Sequence, residues 1–238
     1  FALGVLDGNN SSVNLPGSVP AGDPREVSRT FDPVIDVKSS QASLTAEFDL
    51  GFASLSSISS YQKTTTYLVT DVDRTNLALN RADLPGTQET YTQELNLVST
   101  EGDRLKWFLG LFYYNDDAAG ARTANRGPIS NTTRLKTQAV APFGEVNFSF
   151  GDLTVIGGLR YNYERKDYSL TRGALIETRR KTFENLTPRL GVRYAVTPSS
   201  NLYATWSRGF KSGLFDGILS NGALVANAVN PEKVSAFE

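Results

Sequence analysis

The chain of 238 residues contains no histidine, no cysteine and no methionine. Without cysteine there are no disulfides, zinc thiolates or thiol nucleophiles. Without histidine the usual general base, the commonest metal ligand and the Ser-His-Asp arrangement are missing as well. Much catalytic chemistry is thereby excluded, so the sequence is expected to be that of a non-enzyme with no cofactor and no metal site. A chain that starts at Phe1 without methionine is expected to be processed or cut from something longer, and no charged-then-apolar leader precedes the first strand-like segment. The net charge of −1 and a pI near 5.7 give no electrostatic case for nucleic acid. No uninterrupted apolar run approaches the roughly 18 residues of a membrane helix. Closed β-barrels are the other structure that can span lipid, because closure satisfies every backbone group. With 39% hydrophobic and 21% charged residues, disorder is not expected.

What the sequence does contain is a period of two. In LTVIGGLRYNYERKDYSL, residues 153–170, Leu153, Val155, Gly157, Leu159, Tyr161 and Tyr163 share one side of an extended chain. Thr154, Gly158, Arg160, Asn162 and Glu164 take the other, with Ile156 as an apolar intruder. The pattern persists for about twice the usual strand length of roughly 5–6 residues. It recurs at Leu44 to Leu50, at Tyr91 to Leu97, at Leu105 to Tyr113, at Leu186 to Val196 and at Leu202 to Trp206. The face opposite Leu105, Trp107, Leu109 and Leu111 carries Phe108, Phe112 and Tyr114, and is less polar than a simple alternation requires.

The connections fall into two kinds. Tight ones are expected around Gly51, at Thr100 to Asp103, at Gly151 to Asp152 and at Pro198 to Ser200. Wide ones, rich in Gly, Asn, Asp, Ser and Arg, are expected at about 71–89, 116–134, 169–181 and 212–230. Short turns at one end and long loops at the other are the pattern of outer-membrane barrels. Twelve residues at roughly 3.3 Å each, tilted by about 45°, project to about 28 Å, close to the apolar band of such barrels. An arginine on the lipid face near the midplane costs about 2–4 kcal/mol. Parity places Arg160, Glu164, Arg189 and Arg193 away from that face, so they are expected to face the lumen. Two parity changes, between Gln138 and Phe150 around Pro142 and Gly144 and near Ile58, are expected to be β-bulges. Pro188 lies inside a strand, where it removes one ladder donor.

The stretches YTQELNLVST, RLKWFLGLFYY, FGEVNFSFGDLTVIGGLRYNYERKDY, TPRLGVRYAVTPSSNLYATWSRGFKSGLF and VNPEKVSAFE resemble, in that order, the barrel of TonB-dependent outer-membrane receptors. The resemblance covers about residues 40–238. It implies an all-β, antiparallel transmembrane β-barrel in the bacterial outer membrane, with residues 1–238 supplying about ten strands of a 22-stranded barrel. It also implies an N-terminal plug domain and further C-terminal strands that this chain does not include. The function implied is energy-coupled import of a scarce nutrient, foremost a ferric siderophore complex, with TonB engaged through the missing N-terminal region. The alternatives are a passive porin, which shares the barrel physics, and a soluble β-sandwich carbohydrate-binding module, which requires shorter strands and unsorted loops.

Within that frame Trp107, Tyr113, Tyr161, Tyr163 and Trp206 are candidates for an interfacial aromatic girdle, or simply residues with high strand propensity. Basic residues gather where the outer rim is expected, and they suit lipopolysaccharide phosphates or an anionic ferric complex. Of these, Lys166, Arg180, Arg208 and Lys211 are expected near the opening through which a ligand passes. Asp71-Val72-Asp73 and Asp116-Asp117 lack the spacing of a calcium loop and are expected to be hydrated acidic tips. The Asn-x-Ser/Thr matches at Asn9, Asn10, Asn131, Asn147 and Asn185 carry little meaning in an outer-membrane protein.

Overall fold

The structure is a computed structural model that describes residues 16–19, 28–71, 75–78, 81–100, 102, 104–124, 129–220 and 223–238. Asn9, Asn10, Val72 and Asp73 lie outside the described residues. The described residues form eleven strands and no helix: β1 (Val34–Asp49), β2 (Ala53–Asp71), β3 (Arg81–Ser99), β4 (Leu105–Ala124), β5 (Ile129–Phe150), β6 (Leu153–Arg172), β7 (Leu175–Thr197), β8 (Ser200–Lys211), β9 (Leu214–Ser220), β10 (Ala223–Val229) and β11 (Glu232–Phe237). Nine of them make one antiparallel sheet in the order β1-β2-β3-β4-β5-β6-β7-β8-β11, while β9 and β10 pair only with each other. The sheet does not close on itself. No second large sheet packs against it among the described residues, so the β-sandwich alternative does not hold.

The strands explain their own length. β1 to β7 run from 16 to 23 residues, whereas about twelve suffice to cross the apolar band. The remainder carries the ladder beyond it. Side-chain direction is fixed by the pleat and register is shared by neighbours, so alternation in one strand is transmitted across the sheet. Arg160, for example, pairs with Phe143 on β5 and Thr187 on β7, and Phe143 pairs with Gly110 on β4. The tight turn after β1 needs a left-handed residue, supplied by Gly51 at φ +81°, whose N–H donates to Asp49 Oδ1 at 2.8 Å.

Several expectations are corrected by this ladder. The wide connections are narrower than their composition suggests: β3 already begins at Arg81, β4 continues to Ala124, and β5 begins at Ile129. Between β6 and β7 only Gly173 and Ala174 remain, with Gly173 at φ +57°. A polar residue in a water-exposed strand satisfies its backbone as well as an apolar one does, so hydrophilic composition did not mark loops here. Among the described residues there are eleven strands, nine of them in the large sheet, in keeping with the expected partial barrel of about ten; the stretch 212–230 contributes β9 and β10.

Neither expected bulge is present. β5 keeps one register with β4 from Phe148 to Asn131 and with β6 from Phe150 to Thr132, and β2 keeps one register with both neighbours past Ile58. The apolar residues that broke parity belong to the polar face, where they form a cluster of their own. Register shifts occur instead at Arg122/Thr123 and at Ala195/Thr197. Pro188 marks a split: β7 pairs with β8 only from Arg189↔Ser207 toward the turn, while the far part of β8 pairs with β11 alone. A residue without an N–H fits where a ladder ends.

Candidate functional site

The sheet presents two unlike faces. On the polar face Arg160 lies over the rings of Phe112 and Phe143, at 5.5 and 5.1 Å from their centroids, and its Nε donates to Asn162 Oδ1 at 2.9 Å. Phe108 meets Phe143 edge-on, and Phe112 stacks beside Tyr114. Gly110 makes the room: a Cβ there would lie 2.1 Å from the Phe143 ring. Around this cluster the polar groups are joined laterally. Arg189 pairs with Glu145 at 3.2 Å, Arg193 donates to Thr154 Oγ1 at 3.4 Å, Asn96 donates to Glu94 at 2.7 Å, and Asp116 accepts from Gln88 and Thr90. The surface is of mixed charge, aromatic and hydrogen-bonding, with its arginines set among carboxylates, and contains no group of three or more metal-ligating side chains among the described residues.

The other face is zoned along the strands. Leu97, Leu109, Val146, Val155, Leu159, Leu190 and Val192 form an apolar band, with Trp107 and Trp206 in one cross-strand row through Val146, Gly157 and Leu190. Tyr61, Tyr91, Tyr113, Tyr161 and Tyr163 follow at its upper margin, Tyr91 and Tyr113 with rings 6.2 Å apart. Immediately above comes a belt of charge. Lys63 pairs with Glu89 at 2.7 Å, Arg134 Nε with Asp117 at 2.7 Å, Lys136 with Asp117 at 3.6 Å, Arg165 with Asp167 at 3.0 Å, and Arg180 with Asp167. Beyond the apolar band, the hydrogen bond from Arg134 holds the Asp117 carboxyl below the usual carboxylate range, and that from Arg180 does the same for Asp167.

The lower limit of charge is level from β2 to β5, at Lys63, Glu89, Asp117 and Lys136. It then moves toward the turns, to Arg165 on β6, Glu184 on β7 and Arg208 on β8. Strands tilted against a flat boundary produce such a progression. Arg134, Lys136 and Arg180 also line a cavity of about 480 Å³ on this face.

The residues singled out by sequence fall as follows. Arg160, Glu164, Arg189 and Arg193 share the polar face, and Trp107, Tyr113, Tyr161, Tyr163 and Trp206 share the apolar one. Lys166, Arg180, Arg208 and Lys211 do not form one cluster. Lys166 and Lys211 lie on the polar face, while Arg180 and Arg208 lie on the opposite one, Arg180 bound to Asp167 and Arg208 5.7 Å from the centre of the Trp206 ring. Asp116 and Asp117 point to opposite faces and have separate partners, so they make no joint site.

Sequence reasoning did not find the anchor of the β9–β10 hairpin. Ser212 Oγ donates to Glu164, Lys166 Nζ donates to the Gly213 carbonyl at 2.6 Å, and Lys181 Nζ donates to Asn230 Oδ1 at 3.2 Å. Phe215 stacks on Tyr168 at 5.6 Å. All of the sheet partners belong to the polar face of β6 and β7. The mixed-polarity stretch after Lys211 held no signal for this contact.

A single long-stranded antiparallel sheet, polar on one side and banded on the other with apolar, tyrosine and charged zones, defines a piece of an outer-membrane β-barrel wall. The chain belongs to the family described as TonB dependent receptor-like, beta-barrel, which matches residues 3–238. This is a family of outer-membrane transport receptors of Gram-negative bacteria. The ferric yersiniabactin uptake receptor FyuA of Yersinia pestis has the same fold, with a TM-score of 0.74 at 15% identity, covering 87% of this chain and 33% of that one. The unliganded ferric citrate transporter FecA gives 0.61 at 17% identity over 74% of this chain and 28% of that one. The siderophore receptor PiuA of Acinetobacter baumannii gives 0.61 at 13% identity over 85% and 37%. The chain thus spans about one third of the length of these receptors. No curated protein sequence matches it.

Proposed function

We propose that the chain forms part of the wall of an energy-coupled receptor that imports an anionic, oxygen-rich ferric siderophore complex. The observation that carries this reading is the polar face, where Arg160, Arg189 and Arg193 stand among lateral hydrogen bonds in a chain of this receptor family. That face is assigned to the lumen and the banded face to lipid, since three arginines turned toward hydrocarbon would cost about 2–4 kcal/mol each. Ligands named for the similar receptors, ferric yersiniabactin and ferric citrate, are iron complexes, which supports an iron-bearing cargo. TonB is the proposed energy source, engaged through parts of the protein outside this chain.

The zones of the outer face are assigned by the same logic. The tyrosines and Trp107 and Trp206 belong to the lipid interfaces, and the belt of Arg134, Lys136, Arg165 and Arg180 to lipopolysaccharide phosphates. Lys166 and Lys211, on the polar face, are assigned to the mouth through which ligand passes, with Arg180 and Arg208 on the outer side of the same rim.

Uptake of radioactive iron by cells dependent on the full-length protein tests the reading. Import of a ferric siderophore is expected to stop when an uncoupler collapses the inner-membrane gradient and to fall several-fold in the K166E/K211E variant. Uptake that ignores the uncoupler would instead mark a passive pore.

A further inference from the structure

We propose that Lys166 and Lys181 form an anion-sensitive latch: they hold the β9–β10 hairpin over the polar face and release it when a polycarboxylate or phosphate-bearing ligand takes over both ammonium groups. The inference rests on the import reading only in taking the polar face as the side the ligand reaches.

The hairpin is clamped at both of its ends. On the way out of β8, Ser212 binds Glu164 and the Gly213 carbonyl receives Lys166; on the return, Asn230 receives Lys181. Between these points the strap lies on Phe183, which is only 4% exposed. Gly213 is the residue that permits this approach. A Cβ there would come within 2.3 Å of the Phe183 ring and 2.5 Å of the Val229 carbonyl oxygen.

The charges of the clamp are unbalanced. Lys166 and Lys181 are direct cross-strand partners, and their ammonium groups lie 5.9 and 5.3 Å from the centre of the same Phe183 ring. Like charges placed directly opposite repel. Glu164 pairs with Lys166 at 3.2 Å, but Lys181 forms no ion pair among the described residues. Further along β7 on this face, Arg179 and Glu177 pair with each other. Two cations therefore face one carboxylate and two neutral oxygens. An anion with two or more oxygens can bind both ammonium groups more strongly than a carbonyl and an amide can.

Two same-face pairs nearer the turns than the lysines, Asn162 and Asn185 are 9% and 5% exposed. Asn162 Nδ2 and both polar atoms of Asn185 have no hydrogen-bond partner among the described residues. Buried amide groups left in this state carry the cost of desolvation without a bond in return. They also offer two donors and an acceptor to a ligand that enters as the strap lifts.

The test uses the full-length receptor in membrane vesicles with spin labels at N227C on β10 and Q62C on β2; these 238 residues contain no cysteine, and any cysteine elsewhere in the receptor is first replaced by serine. Citrate is the anionic probe, with sucrose and sodium chloride of matched ionic strength as controls. The expected result is loss of the closed-distance population with citrate and with neither control. G213A should lose that population without citrate, and K166Q/K181Q should show no citrate response. The proposal is overturned if citrate leaves the distance unchanged while G213A shifts it, or if K166Q/K181Q responds to citrate as the parent does. Energy-dependent iron uptake measured on the same parent protein separates the two readings. Uptake with an unresponsive hairpin removes the latch and leaves import standing. A citrate-released hairpin without such uptake supports the latch and removes the import reading.

Discussion

Below the tyrosines each strand has two unlike faces, whereas above them both faces are polar and the same strands continue. In the lower region Leu159 and Leu190, more than half exposed, sit back to back with Arg160 and Arg189. In the upper region Lys136, Asp167 and Arg180 occupy the side that carries valine and leucine lower down. That side is also hollowed by a cavity of about 670 Å³ among small residues such as Gly86, Ala119, Gly120 and Ala121. The ladder is indifferent to this change, because backbone pairing is the same in lipid and in water. Side chains set the height of the apolar band, and hydrogen bonds set the length of the strand.

The comparison breaks most sharply if one residue is moved across the boundary. Leu159→Arg, in the apolar band, should lower the stability of the full-length barrel folded in liposomes by about 2–4 kcal/mol. Thr87→Arg, on the same face above the band and opposite the uncharged Thr65 and Ala119, should change it by less than about 0.5 kcal/mol. Equal effects in urea titrations would show that the band does not face hydrocarbon.

The polar face of the lower region can be probed through its aromatic cluster. Gly110→Ala places a methyl group against Phe143 and should cost about 1–3 kcal/mol. In a Phe143→Ala background the same change should be tolerated, giving a coupling of about 0.5–3 kcal/mol in a double-mutant cycle. Additive costs would contradict the packing of Phe143 over Gly110.

The smallest effect belongs to the charge belt. Asp167→Asn releases Arg165 and Arg180 and should cost about 0.2–1 kcal/mol at low salt and nothing measurable in high salt. The folded-state carboxyls of Asp117 and Asp167 titrate below their usual value, so their contribution is present above the ordinary carboxylate range and is lost as pH falls through the lowered values. Acid titration of stability should therefore show a step in the parent protein that shrinks in the Asp167→Asn variant.

Much of the wall was legible in advance. Alternation from Leu153 to Glu164 separated the two faces with Ile156 as the one apolar residue on the polar side, and parity alone put Arg160, Arg189 and Arg193 on the face opposite Trp107 and Tyr163, as the register does. The loops were not legible, because the polar residues between Asp116 and Arg134 suit an exposed strand as well as a coil. Phe143 was misread as a sign of a bulge, since its companions Phe108, Phe112 and Arg160 sit on other strands. The clamp beneath Gly213 lay equally out of reach, for it joins positions 47 residues apart.

By itself, then, the sequence determined that the chain forms long strands with one polar and one apolar face, because the pleat fixes side-chain direction at a period of two. Only the tertiary structure decided which side chains become neighbours. Register brought Lys166 opposite Lys181 and laid Phe143 over Gly110, and a strand carries no local record of what its partner will place beside it.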